Sequence, residues 1–454
     1  MATELKEALT ASGASALIPK VIDPQVLDYQ RRYSPLVQAT PTKQINTTTY
    51  YFNQLTNRVA GGFVTDGGAR PVSNSTYVQN QYQIRQLQAV GGVTGYAQKV
   101  TQDVIGDLLA QEIQNTIQGQ YWDIETALLW GNSGATANDP WPQFDGLDTL
   151  VNIYSGVNQN VIAGAGANLS LSLINQMIDL AETNAAMSVF STNWMIIGSN
   201  TAFSMLAELF TNQQRFMGST EVAAGLNVPT YRDIPLVKTS FLSTHGVQVG
   251  TVTTTPAATG GTLATGTYYY RVAAVIARSG ETIASAEVSA TTTANTSTVT
   301  LAFTTPTGQD GASPISYKVY RGSAAGGETL LGYVDAIVGT GNDGITPVYA
   351  TSIVDTGSAL VPQNGATVPG VLPTAYNGTN AGAKPRNAGI EDLYLVPRDA
   401  NFMVRPYVRE IQPIEVAPTV LSPDTLPFAM ATDTCLAVRA PRYVTKLANV
   451  AISL

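Results

Sequence analysis

One cysteine, Cys435, stands among 454 residues, so no disulfide can form within the chain. Histidine is equally scarce: His245 is the sole one, and any Ser-His-Asp relay or histidine-held metal would have to use it. It sits in the polar stretch STHG and reads as a linker residue. Charge is thin as well, at 12% of residues against about 25% in a typical soluble domain. A surface so poor in charge is expected to be covered largely by partner subunits. No apolar run reaches the roughly 18 residues that a membrane-spanning helix needs. The opening MATELKEALTASGASALIPK carries Glu4 and Glu7 where a secretory signal requires a positive, non-acidic start. Net charge is −8, the wrong sign for a protein built mainly to grip nucleic acid, although glancing contact with DNA remains compatible with it.

What is present changes character along the chain. Residues 1–45 read as an arm, with Thr3 capping a short helix before Pro19, Pro24, Pro35 and Pro41 interrupt it. Residues 46–100 are rich in Thr, Tyr and Val around a Gly- and Pro-containing centre, which predicts a long two-stranded ribbon. From Thr101 to Trp130 the period shifts. Ile105, Leu108, Leu109, Ile113, Ile117, Tyr121, Ile124 and Leu128 form one apolar stripe, predicting a helix capped by Thr101 and closed by Gly131 at its C′ position. A helix from Ser170 with Ile174, Met177, Ile178 and Ala181 inward, the strand WMIIG and a helix capped by Ser199 or Asn200 make an α/β segment. Residues 246–370 lose helical period altogether. TYYYRVAAVI, STVTLAFTT, ISYKVYRG and TLLGYVDA are short, turn-bounded strand candidates of a β-sandwich, with Tyr268, Tyr270, Val272, Ala274 and Ile276 on one face of the first. Mixed strands such as EDLYLVPRD then resume.

No catalytic or cofactor constellation emerges. GTGNDG, Gly339–Gly344, has dinucleotide-type glycines but is followed by ITPVY, which offers no helix to aim N–H groups at a phosphate. Pairs such as Glu391-Asp392 and Asp123-Glu125 have no spacing that argues for glycoside hydrolysis. The reading is therefore of a non-enzyme with no metal or cofactor.

The order arm, ribbon, long helix ending Ile124-Glu125-Thr126-Ala127-Leu128-Leu129-Trp130-Gly131, then Phe144-Asp145-Gly146-Leu147, Ile234-Pro235-Leu236-Val237-Lys238-Thr239-Ser240 and Val438-Arg439-Ala440-Pro441-Arg442 resembles one family. It is similar to the major capsid proteins of tailed bacteriophages, the Hong Kong 97-type fold. The resemblance implies an α+β chain divided into an N-terminal arm (1–45), an extended loop (46–100), a peripheral domain on a spine helix (101–145) and a first axial part (146–245). After an inserted immunoglobulin- or fibronectin type III-like sandwich (246–370) come an axial and peripheral return (371–420) and closing peripheral strands (421–454). The sandwich is expected to be an outward decoration whose replacement by a short linker leaves assembly intact.

Hexamers and pentamers of the chain would build an icosahedral shell in the host cytoplasm. That shell would enclose double-stranded DNA without sequence-specific binding, in a virion and away from membranes. Portal and decoration proteins are expected partners, as is a separate scaffolding protein if one is used at all, because no scaffolding segment precedes the arm. Asp66, Arg70, Arg85, Arg31 and Arg32 are the candidate subunit-interface residues. Residues 45–97 contain no lysine, so a lysine cross-link from the extended loop is not expected. The alternatives are an encapsulin-like compartment, or a surface adhesin or carbohydrate-binding protein with the sandwich as its working part.

Overall fold

The computed structural model describes residues 34–452 apart from 69–73, 103–105, 135–141, 152–159, 165, 192, 213–217, 224–225, 243–245, 309–310, 342–345, 359–385, 387–388, 415 and 417–423. Arg31, Arg32, Arg70, Ile105, His245 and the helix expected after Thr3 lie outside the described residues. The chain is α+β, with strands outnumbering helices among the described elements.

The long helix runs Leu108–Trp130, seven residues shorter than the apolar stripe suggested, and its cap is Asp107, whose carboxylate accepts the Ala110 N–H at 3.1 Å. Thr101 instead ends a separate short helix, Gly95–Thr101, and Gly106 between the two takes φ +79°, which breaks the helical path. At its other end Gly131 has φ −55° rather than the left-handed form expected at C′. Glycine is needed there for space: a Cβ would strike the carbonyls of Phe144 and Ala127. Only the second half of the helix is embedded, from Gln120 to Trp130. Ile113 and Ile117 are half-buried and Tyr121 is exposed, so the first half of the stripe lacks the core expected for it.

A seven-stranded mixed sheet holds the α/β segment, in the order 161–163, 445–451, 390–397, 194–198, 234–238, 226–231, 218–223. Helix Leu171–Ala185, capped by Ser170, buries Ile174, Met177, Ile178 and Ala181 against it, and Ser199 caps helix Asn200–Asn212 through the Ala202 N–H. Strands Ile234–Lys238 and Ile390–Pro397 flank the same central strand, Trp194–Gly198. The chain between them therefore leaves and re-enters one sheet.

That intervening chain forms two sheets around a common core. Strands 253–257, 298–302 and 352–355 make one; strands 266–276, 280–281, 288–292, 314–322 and 329–335 make the other. Tyr270, Val272 and Ala274 pack inward with Leu301, Tyr317 and Val319, as the alternation of TYYYRVAAVI requires. The opposite face is not free. Ala273 and Val275 are fully buried, and Val275 and Ile315 join the core built on the long helix. Two-sided burial explains why the strand reads VAAVI, without polar residues on its second face.

Candidate assembly surfaces

The ribbon pairs Thr49–Asn57 with Thr76–Gln83. Its inner face is stapled to the body: Phe52 stacks on Tyr82 at 5.7 Å, the Tyr82 hydroxyl donates to the Val438 carbonyl at 2.9 Å, and Arg439 lies over the Tyr50 ring and donates to its hydroxyl. The Val438-Arg439 pair that opens the stretch Val438-Arg439-Ala440-Pro441-Arg442 thus anchors the ribbon. The outer face leaves Tyr51, Leu55 and Tyr77 exposed, and Val59, Phe63 and Val64 are exposed towards the tip. Asp66 is exposed at the tip. Arg85, in contrast, begins the next strand, Arg85–Thr94, opposite Thr434 in the body. It lines a cavity with Asp123 and Phe144 and helps to stabilise the Asp145 carboxylate, whose affinity for a proton is raised on balance by burial. Arg70, like Arg31 and Arg32, falls outside the described residues.

Beneath the sandwich lies a seam that sequence patterning did not reveal. The turn at Arg278–Gly280 lands on the end of the long helix. Arg278 donates from Nε to one Asp123 oxygen at 2.7 Å and from its terminal nitrogen to the other at 3.1 Å, and its backbone N–H reaches the Thr126 hydroxyl at 3.0 Å. Beside it, Gly280 at φ +107° passes so close to the Phe241 carbonyl and the Trp130 indole that no side chain fits.

Deeper in the seam, three cations and three carboxylates close a buried cluster. Lys318 of the sandwich reaches Asp148 at 2.5 Å and Glu281 at 2.7 Å; Lys446 reaches Asp148 at 2.7 Å and Asp392 at 3.1 Å; Arg386 reaches Asp392 at 3.1 Å. Hydroxyls of Tyr333 and Tyr394 also donate to Asp148, and that of Tyr320 to Glu281. Burial alone would neutralise Asp148, but Lys318 and Lys446 outweigh it and hold the carboxyl well below the usual range. Asp392 behaves alike: burial opposes its charge, and Lys446 and Arg386 bring it down to about 2. Burial likewise opposes the charge of Lys318, and Asp148 and Glu281 reverse that and raise its pKa. Sequence reasoning missed Asp148, Lys318 and Lys446. The available signal was a charged residue amid doubly buried strand sequence, as in ISYKVY.

A second buried carboxylate, Glu125, stands apart from every ion pair among the described residues. Its Oε2 accepts the Leu36 N–H at 3.0 Å and, more weakly, the Val37 N–H at 3.4 Å, while the Thr239 hydroxyl donates to Oε1 at 2.7 Å. Glu391, the partner of Asp392 in sequence, accepts instead from the Ser199 hydroxyl. Neither adjacent carboxylate pair considered from sequence works as a pair. Among the described residues no group of three or more metal-ligating side chains occurs, and no helix is long and apolar enough to cross a membrane.

Residues 24–234 match the family model described as SU10 major capsid protein. Over that segment, a little under half of its length, the chain resembles a phage major capsid protein. The matched segment contains the ribbon, the long helix and the first strands of the mixed sheet. No curated protein matches the chain. Among solved structures, an encapsulin complex of Synechococcus elongatus PCC 7942, holo-SrpI, is similar at 9% identity and TM-score 0.48, covering 99% of this chain and 98% of that one. The capsid of a native GTA particle is similar at 8% identity and TM-score 0.47, with 98% and 99% covered. A structure titled Gordonia phage Cozz is similar at 10% identity and TM-score 0.47, with 99% and 97% covered.

Proposed function

We propose that the chain is a major capsid protein that closes into an icosahedral shell through hexamers and pentamers of itself, with DNA held inside without sequence reading and with the virion as its final location. The observation that carries the reading is the capsid-family match over residues 24–234. The ribbon supports it. A two-stranded ribbon is marginal alone in water, and this one keeps a face of exposed Tyr51, Leu55 and Tyr77 that a neighbouring subunit would cover. With no lysine from 45 to 97, that contact is noncovalent, resting on strand pairing, hydrogen bonds and ion pairs from Asp66, Arg70 and Arg85, with Arg31 and Arg32 contributing from the arm. The capsid match favours this over an encapsulin-like compartment.

Residues 246–370 are proposed as an immunoglobulin-like insertion in the axial part, facing outward and docked on the body through the buried seam. The supporting facts are its separate two-sheet core and the single sheet that its two ends flank. Portal, scaffolding and further decoration proteins are proposed partners.

The deciding experiment is expression of the full chain, followed by sedimentation and negative-stain microscopy. Closed shells or capsomers are expected. Monomers as the sole species across concentration and salt would refute the shell reading and favour an adhesin. Boiling in denaturant should return shells to monomer-mass bands; cross-linked ladders would refute the noncovalent contact.

A further inference from the structure

Within residues 1–45 a short helix, Leu36–Ala39, packs against the long helix with Leu36, Val37 and Ala39 buried. Two backbone N–H groups at its start are donated to Glu125, a side chain with no exposed surface. The third donor, Thr239, follows the strand Ile234–Lys238, so one carboxyl joins three parts of the chain that are 88 or more positions apart in sequence. No described cation shares the site. Asp123, on the same helix, is engaged by Arg278; Lys238 precedes Thr239, and Glu221 lies on the strand beside the short helix. The environment of Glu125 is set by burial and by the three neutral donors, with no charged side chain contributing.

We propose that Glu125 is a protonation-operated latch, holding the segment Leu36–Thr40 on the long helix when neutral and releasing it when ionised. The neutral acid fits the site. One oxygen still accepts from the Leu36 N–H, and the other, now a hydroxyl, donates to Thr239, whose oxygen also accepts the Phe241 N–H at 3.3 Å. An ionised carboxylate there receives the same donors but has no cation to offset its lost hydration. Burial accordingly pushes the closed-state pKa from 4.5 up to about 8, with the hydrogen bonds from Thr239, Val37 and Leu36 pulling against it. When the segment lifts, water reaches the carboxyl and its ordinary affinity returns. Closing therefore takes up a proton, and rising pH across that window favours opening. The latch belongs to the subunit itself and is independent of the shell reading, since it uses contacts within one chain.

Hydrogen exchange at the Leu36 and Val37 amides, in the full-length protein from pH 5 to 8.5, reads the latch directly. Their protection, divided by that of a core amide such as Leu301, should fall by up to about tenfold per pH unit between the two affinities. Glu125→Gln, which keeps the acceptor and the donor of the neutral acid, should stay protected across the range. A flat wild-type ratio overturns the proposal, as does a Gln variant with the same slope or with the amides unprotected throughout. Should the variant fail to fold, the wild-type series decides alone.

Discussion

Replacing Lys318 by methionine tests whether the sandwich is seated by charge or merely by apolar contact. Lys318 is 1% exposed, and its ammonium serves Asp148 and Glu281 at 2.5 and 2.7 Å. Methionine preserves most of the stem's volume, so the loss is electrostatic. Asp148 would keep Lys446, Tyr333 and Tyr394, but Glu281 would keep only the Tyr320 hydroxyl among the described contacts. The cluster would go from balanced to one negative charge in excess, among side chains that are all buried. Breaking a buried pair from one side costs about 3–5 kcal/mol. Neutralising the orphan as well, Lys318→Met with Glu281→Gln, removes the excess charge and leaves a cost of about 1–2 kcal/mol, since apolar replacement of a whole buried pair is often tolerated. The assay is denaturant unfolding of the full-length protein, followed by a double-mutant cycle. Equal costs for the single and double variants, or a single variant within about 0.5 kcal/mol of wild type, would refute the claim that charge balance holds the seam.

Gly280→Ala should destabilise by about 2–4 kcal/mol, because a φ of +107° and the Phe241 carbonyl leave no room for a methyl; wild-type melting would refute that close approach. Arg278 also has positive φ, +60°, so Arg278→Ala loses the Asp123 pair while keeping the strain. Arg278→Gly loses the pair but relieves the strain, and should be the milder by about 0.5–1 kcal/mol in unfolding experiments; the reverse order would refute the strain. In acid, the lowered carboxyls Asp148 and Asp392 contribute stability that is complete above their unfolded value near about 4 and is lost as pH falls towards the folded value, which for Asp392 is about 2. Midpoint stability should drop over that interval, and Glu125→Gln should leave the drop in place, because Glu125 acts with the opposite sign and at higher pH; an acid limb abolished by that change would refute the assignment.

The helices and the sandwich strands were legible because each sets at least one face against a core: Ile174, Met177, Ile178 and Ala181 on one, Tyr270, Val272 and Ala274 on the other. Their periods, about 3.6 and 2, are written directly into the sequence. The start of the long helix was misread because Ile105, Leu108 and Leu109 continue the stripe, while a single left-handed glycine, Gly106, stops the path. Ile113 and Ile117 carried a further ambiguity, since an apolar stripe looks the same whether its cover is the chain's own core or another surface. Ile117 lines a groove with Val37, Gln38 and Trp122 rather than sitting inside a core, and Ile113 is half-buried. The seam was not legible at all. Its members come from 148, 281, 318, 386, 392 and 446, and only the fold brings such distant charges together.

The seam also alters what the sandwich is to the subunit. A domain hung from a loop by its two ends could be exchanged for a linker, and the sequence alone invites that picture for residues 246–370. In the folded chain, however, removing those residues takes Lys318 and Glu281 from the cluster, the Tyr333 donor from Asp148, and Val275 from the core it shares with the long helix. Lys446, Arg386, Asp148 and Asp392 would remain as two cations and two carboxylates, still balanced in number, but opened to water beside an uncovered Trp130. Hydration would weaken each remaining pair while relieving its burial cost, so charge alone need not forbid the deletion. The apolar loss has no such relief: Trp130 is 1% exposed in the intact chain, and uncovering a large aromatic side chain forfeits about 2–3 kcal/mol. The sandwich therefore completes the core of the body on which it sits, seated by the fit around Trp130 and Gly280 as well as by the buried ions.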